Sequence, residues 1–287
     1  PVNFADSSFY AAEPRATVMS LGASRIREVA NAGMGRADVL PFWFGEPDQV
    51  TPEFIRQAAK EALDAGDTFY THNLGIPLLR ETLATYSARL HGAADVNQIA
   101  VTSSGVSALM LVAQLLINPG DRVVAVTPLW PNLVEIPKIL GAEVIPVSLT
   151  LNTQLPDPVW ELDLERLLTA LTPDTKALLL NSPNNPTGWT ITRAQQEVVL
   201  AHCRRHGIWL MADDVYERLI FDGQGGPHAC APSFLDLADA RERVVSTNSF
   251  SKSWLMTGWR LGWMQVPATL APALGTLIEY NTSCAPG

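Results

Sequence analysis

Basic residues are scarce in this 287-residue sequence: 20 Lys and Arg stand against 29 Asp and Glu, a formal net charge of −9. An acidic chain without basic clusters is a poor match for nucleic acid or an anionic membrane surface. Cysteine is scarcer still. Cys203, Cys230 and Cys284 are odd in number and far apart. They show no C-x-x-C or Cys/His ligand spacing, so neither a disulfide framework nor a metal site is expected. Reduced thiols fit a cytoplasmic location. Long apolar runs are missing too. The best stretch, 106–117, is interrupted by Ser107 and Gln114 and does not suit a bilayer span. Pro1-Val2-Asn3-Phe4 lacks the charged-then-apolar layout of a signal peptide. Neither G-x-G-x-x-G nor G-x-x-x-x-G-K-[ST] occurs, which removes the motif support for dinucleotide and P-loop readings.

What is present is an alternation of short apolar runs and longer amphipathic ones. Hydrophobic residues make up 47% and charged residues 17%, enough to bury a sizeable core. Strands are expected at 99–102, 122–127, 143–147, 177–181, 208–212, 244–248 and 261–266, each a near-continuous apolar run. Helices are expected at 20–33, 77–91, 104–117, 131–140, 161–171, 192–206 and 268–282. Another opens at Thr51-Pro52-Glu53, with Thr51 as N-cap and Pro52 at the first helical position. This pattern predicts an α/β fold: a three-layer α/β/α sandwich around a mostly parallel, seven-stranded sheet. In such sheets ligands bind beyond the carboxyl ends of the strands.

Five features sit at those ends. Ser249-Phe250-Ser251-Lys252 follows a strand, and Arg260 comes eight residues after the lysine. A partly desolvated lysine there can act as a nucleophile, while hydroxyls and a guanidinium suit a phosphate. Taken singly, they also read as a solvated loop lysine and a surface ion-pair partner. Asn181-Ser182-Pro183-Asn184-Asn185-Pro186-Thr187-Gly188 is a rigid turn that can position a hydrogen-bond donor. In Asp213-Asp214-Val215-Tyr216, Asp213 reads as a buried charge partner and Asp214 as a helix N-cap. Thr102-Ser103-Ser104-Gly105-Val106-Ser107 leaves a helix N-terminus open to an anion. Trp130 suits stacking on a planar ring and equally suits the core. Together these supply an amine for an imine, an anion cradle, an acid for a ring nitrogen, donors for a ring hydroxyl and an indole for the ring face. That set describes a pyridoxal-phosphate (PLP) site.

From Phe44-Gly45-Glu46-Pro47-Asp48 onward the chain resembles the class I/II aminotransferases, a family of fold-type I PLP enzymes. The most specific pieces are Ser249-Phe250-Ser251-Lys252 with Gly258-Trp259-Arg260, and Asn184-Asn185-Pro186-Thr187-Gly188. The resemblance implies that Lys252 forms the internal aldimine and then moves the substrate's α-proton. Arg260 and Ser249 would hold the phosphate, with Gly105, Val106 and Ser107 at the helix start. Asp213 would pair with the pyridinium nitrogen. Asn185 and Tyr216 would bond the ring's phenolic oxygen, and Trp130 would stack on the ring. Gly45 and Asn185 would contact substrate, and Tyr70 would reach the phosphate of a neighbouring subunit in a homodimer with shared sites. The implied reaction moves an amino group from an L-amino acid to a 2-oxo acid. A PLP lyase or decarboxylase of the same fold, and a PLP-binding fragment without turnover, are the alternatives.

The family's usual Asp-Glu pair is Asp213-Asp214 here, a change expected to matter little. Family members also continue past the position of Gly287 with a small domain and an arginine for the substrate's α-carboxylate. No Arg follows Arg260 in this sequence. The expected organisation is therefore a small-domain segment at 1–45, a large PLP-binding domain at 46–287 and no C-terminal small domain.

Overall fold

The computed structural model describes residues 14–92, 94–221, 226 and 228–287. The chain forms two compact units, 1–44 and 45–287. The first holds α1 (Ala16–Met19) and α2 (Arg25–Gly33). Helix α2 starts later than the pattern predicts, because the Ser24 hydroxyl accepts from the Arg27 N–H and caps it there. The first thirteen residues of the expected small-domain segment lie outside the described residues.

The second unit opens with α3 (Glu53–Asp64) and α4 (Pro77–His91), then β1 (Ile99–Thr102) and α5 (Gly105–Leu116). Strand β2 (Arg122–Thr127), α6 (Asn132–Ile139) and β3 (Glu143–Ser148) follow. Next come β4 (Thr150–Asn152), β5 (Val159–Glu161), α7 (Leu164–Ala170), β6 (Thr175–Asn181), α8 (Arg193–His206) and β7 (Trp209–Asp213). The chain continues with β8 (Val244–Ser249), α9 (Phe250–Ser253), β9 (Gly262–Gln265) and α10 (Ala271–Glu279).

Seven strands form one sheet in the order β1-β9-β8-β7-β6-β2-β3. The run from β8 to β3 is parallel, and β9 alone is antiparallel to both its neighbours, β8 and β1. Alternate residues of the central strands serve two cores. Val123, Ala125, Leu179 and Met211 pack with α5, α6 and α10, while Val124, Leu178, Leu180 and Leu210 pack with α7 and α8. Burial on both faces is why these strands are apolar throughout. Leu178, Leu180 and Leu210 are at most 1% exposed, and each such side chain contributes roughly 2 kcal/mol by leaving water. The expected three-layer α/β/α architecture is thus present.

Three local expectations are corrected. Thr51 caps no helix: Pro52 occupies the N-cap position of α3, and the Thr51 hydroxyl instead donates to the Leu255 carbonyl at 2.6 Å. The same oxygen accepts from the Trp259 indole N–H at 2.9 Å. Helix α7 begins at Leu164 rather than 161, because Val159–Glu161 pairs with Thr150–Asn152 in an antiparallel hairpin. A turn does follow Asp214, but the Asp214 side chain does not cap it, being engaged by Ser233 and Ser246 instead.

Candidate active site

Strand direction gathers the candidate residues along one edge of the sheet. The carboxyl ends of β1, β2, β6, β7 and β8 lie there, and antiparallel β9 starts there. Lys252 lies in α9, the short helix that directly follows β8 and is capped by the Ser249 hydroxyl through the Ser251 N–H at 3.1 Å. The Lys252 amine is half-buried and donates to the Gly45 carbonyl at 2.5 Å. Burial holds its proton affinity below the ordinary lysine value; Glu46 opposes this and Arg260 adds to it. An amine so placed reaches its neutral, nucleophilic form more readily than a solvated lysine does.

Asp213 ends β7 and is 8% exposed. Burial first, then the charge of Asp214, pushes its pKa up to about 7, against the Val215 N–H and the Thr247 hydroxyl. The Asn181 amide donates to the Asp213 carbonyl at 2.9 Å and fixes the strand end. The Asn181 side-chain oxygen Oδ1 accepts from the Asn185 N–H at 2.8 Å, which aims the Asn185 amide at the Tyr216 hydroxyl, 3.1 Å away. Asp213, Asn185 and Tyr216 are therefore brought together, as expected. Burial raises the Tyr216 pKa, and the Asn185 bond moderates it.

The end of β8 also meets the start of α5. A Cβ added at Gly105 would sit 3.1 Å from Ser249 Cβ, a tight contact that Ser249 would have to relieve by a few tenths of an ångström. Ser104 caps α5 by accepting from the Ser107 N–H at 2.9 Å, which uses that group. The N–H groups of Gly105 and Val106 donate to no acceptor among the described residues, leaving two donors at the positive end of a twelve-residue helix. Arg260 is in the left-handed region at φ 56°, with its guanidinium 3.5 Å from the Ser251 hydroxyl. A non-glycine residue there costs about 1 kcal/mol, a local strain of the kind that clusters at functional sites.

The two remaining candidates are Trp130 and Tyr70. Trp130 follows β2 and packs, half-buried, against the core that contains α5. Tyr70 is 91% exposed and lines a cavity of about 620 Å³ with Phe69, Ser103 and Cys284.

Sequence reading missed Gly262. A Cβ there would lie 2.5 Å from the Gly105 nitrogen and 2.8 Å from the Asn248 carbonyl oxygen. A glycine after Arg260-Leu261 was the available signal. It also missed a buried polar cluster behind Asp213. Asp214 accepts from the Ser246 and Ser233 hydroxyls at 2.6 and 3.0 Å. His91 lies between Glu217 and Asp236 at 3.0 and 2.7 Å, and the Tyr86 hydroxyl donates to Glu217 at 3.0 Å. No short-range pattern announces partners so distant in sequence.

A sequence model of the family "Aminotransferase class I and II" matches residues 37–287. The chain belongs to the class I and II aminotransferase family. It is 36% identical over 252 residues to the arginine–pyruvate transaminase of Pseudomonas aeruginosa, covering 88% of this chain and 61% of that protein. It is 34% identical over 248 residues to the aspartate/prephenate aminotransferase of Thermus thermophilus, covering 86% and 61%. Among solved structures, a single mutant of the Thermus thermophilus aspartate aminotransferase superposes with a TM-score of 0.84 at 31% identity. That match covers 96% of this chain and 70% of the other. The Thermotoga maritima aspartate aminotransferase superposes with a TM-score of 0.85 at 29% identity, covering 95% and 71%. The chain spans about three fifths of the length of these curated aminotransferase relatives.

Proposed function

We propose that this chain forms the cofactor-binding part of a PLP-dependent aminotransferase that moves an amino group from an L-amino acid to a 2-oxo acid. The observation that carries this reading is Lys252. Its amine, with lowered proton affinity, sits on the Gly45 carbonyl at the same sheet edge as the buried acid Asp213. The surroundings fit the cofactor. Gly105 leaves room that a Cβ would fill, and the Gly105 and Val106 N–H groups, Ser249 and Arg260 form a donor set suited to a phosphate monoester. Ser107 would add its hydroxyl to that set. Bound PLP supplies an electron sink that stabilises negative charge at the substrate's α-carbon.

Each residue then has a task. Lys252 would hold the cofactor through its amine and, when the substrate's amino group takes that place, would accept the α-proton on Nζ. Asp213 would keep the ring nitrogen protonated. Asn185 and Tyr216 would hold the phenolic oxygen, and Trp130 would cover the ring face. Gly45 offers its backbone to the substrate. Tyr70, exposed in the single chain, reaches the phosphate of a partner subunit, which makes the working unit a homodimer with shared sites. Amino-group transfer agrees with the names of the two relatives above. Three free thiols and the lack, among the described residues, of a helix able to cross a membrane accord with a place in the cytoplasm.

The test is borohydride reduction of the protein reconstituted with PLP, followed by peptide mass mapping. The expected pyridoxyl mass lies on Lys252. A label on another lysine, or none, refutes the site. Loss of the pyridoxal absorption on adding an amino acid, restored by a 2-oxo acid, distinguishes transamination from lyase chemistry.

A further inference from the structure

We propose that Asp214 is a second functional acid in this site: a buried charge, held by the Ser233 and Ser246 hydroxyls and faced by the His91 cation, that strengthens the grip of Asp213 on the protonated ring nitrogen of the cofactor. The proposal rests on the reading of this edge as a PLP site, and it gives Asp214 a positioning and charge-setting role rather than contact with the cofactor. Sequence alone made this position an ordinary cap.

Successive residues of a strand face opposite sides of the sheet. Asp213 ends β7, so Asp214, the next residue, projects away from the α5 side that Asp213 shares with Met211. On its own side it is 4% exposed, with two hydroxyls on one oxygen: Ser246 from β8 at 2.6 Å and Ser233 at 3.0 Å. Its N–H donates to the Thr247 carbonyl at 2.9 Å, which locks the strand end. Hydroxyls that donate to a carboxylate favour its charged form. A protonated carboxyl alone would not call for two of them.

Charged and titratable groups surround Asp214 from the elements packed there. From its own turn comes Glu217, which accepts from the Tyr86 hydroxyl of α4, and from α4 comes His91. The turn Phe234–Asp236 brings Asp236, which pairs with Arg193 of α8. Arg218 acts on Tyr86, and Cys230 faces Glu217 and Asp236. His91 is the cation at the centre, since both its ring nitrogens meet carboxylates. Burial alone would depress its pKa, but the bonds to Asp236 and Glu217 outweigh this and raise it to about 10. A lasting imidazolium favours an ionised Asp214 over a neutral one. Burial and Glu217 still hold the Asp214 pKa up at about 6, so Asp214 is mostly ionised above pH 7. The Asp214 charge in turn raises the proton affinity of Asp213. A ring nitrogen held by Asp213 feels the same field with the same consequence: its proton is held more tightly.

The experiment uses the PLP-reconstituted protein and follows its visible absorption against pH. Asp214→Asn keeps the shape and an acceptor but removes the charge. The midpoint of its spectral titration is expected to fall by about 0.5–1, whereas Asp214→Glu, which keeps the charge, stays close to the original. An unchanged midpoint in Asp214→Asn overturns the proposal. So does an equal disturbance in both variants, because a purely structural role predicts that. Should the variants not fold, the cofactor-free parent decides: with ¹⁵N-labelled histidine, His91 must remain an imidazolium above pH 8. A neutral His91 at pH 7 overturns the charged cluster. Failure of the parent protein to take up PLP has a different meaning: it removes the site reading, and the proposal with it.

Discussion

A buried carboxylate is costly to keep without a counter-ion, and Asp213 carries that cost for as long as no cation faces it. Its pKa is raised from 3.8 to about 7. The sign follows from linkage. A raised folded-state value means that Asp213's contribution to stability is complete below pH 3.8 and is lost as pH rises through 7. Asp213→Asn cannot ionise, so it should stabilise the cofactor-free protein at pH 8 by roughly 1–3 kcal/mol and leave it unchanged at pH 4. Calorimetry at the two pH values checks this. The same variant should weaken PLP binding at pH 8 by at least about tenfold, measured by fluorescence titration. A gain in stability together with a loss of affinity is what separates a functional acid from a structural one. The positions of Lys252, Asp213, Asn185 and Arg260 along one sheet edge were legible in the sequence because each lies next to a strand within a recognisable local string. Asp214 was misread because local cap logic weighs its near neighbours and cannot see Ser233 and Ser246, which the chain brings back from further along.

Among elements, the central strands were the most readable, since burial on both faces writes a continuous apolar run into the sequence. The hairpin of β4 and β5 was invisible for the opposite reason. Its strands are three residues long and mostly exposed, so no face imposes a pattern. Strand β9 was located but its direction was not, because a strand's apolar content carries no sign of orientation. That orientation matters: it brings Gly262 against the start of α5. Gly262→Ala should cost about 1–3 kcal/mol by overpacking, read as a lower urea midpoint, and should weaken phosphate-ester binding through the displaced Gly105 N–H. Helix α4 carries a second, pH-dependent contribution. The His91 pKa rises from 6.5 to about 10 on folding, so its stabilising effect is full below pH 6.5 and declines as pH rises towards 10. His91→Gln should flatten that decline in urea midpoints between pH 7 and 10; an unaltered slope would place the titrating group elsewhere.

The whole working unit is proposed to need two chains, and Tyr70 is the residue that decides it. A tyrosine 91% exposed beside Phe69 at 85% is an odd surface for a monomer and an ordinary one for an interface. If Tyr70 acts across the interface, each site combines Lys252 of one chain with Tyr70 of the other. Lys252→Ala and Tyr70→Ala then damage different halves of one site. Alone, the first variant can take no borohydride label at 252, and the second should bind PLP more weakly. Mixed in equal amounts and allowed to exchange subunits, they should form mixed dimers that carry one intact site and one doubly damaged site. About a quarter of all sites would then recover tight cofactor binding, seen as labelled Lys252 at PLP concentrations too low to label the Tyr70 variant alone. If Tyr70 instead serves its own chain, no mixing can restore a site, and the labelled fraction stays at the level of the Tyr70 variant.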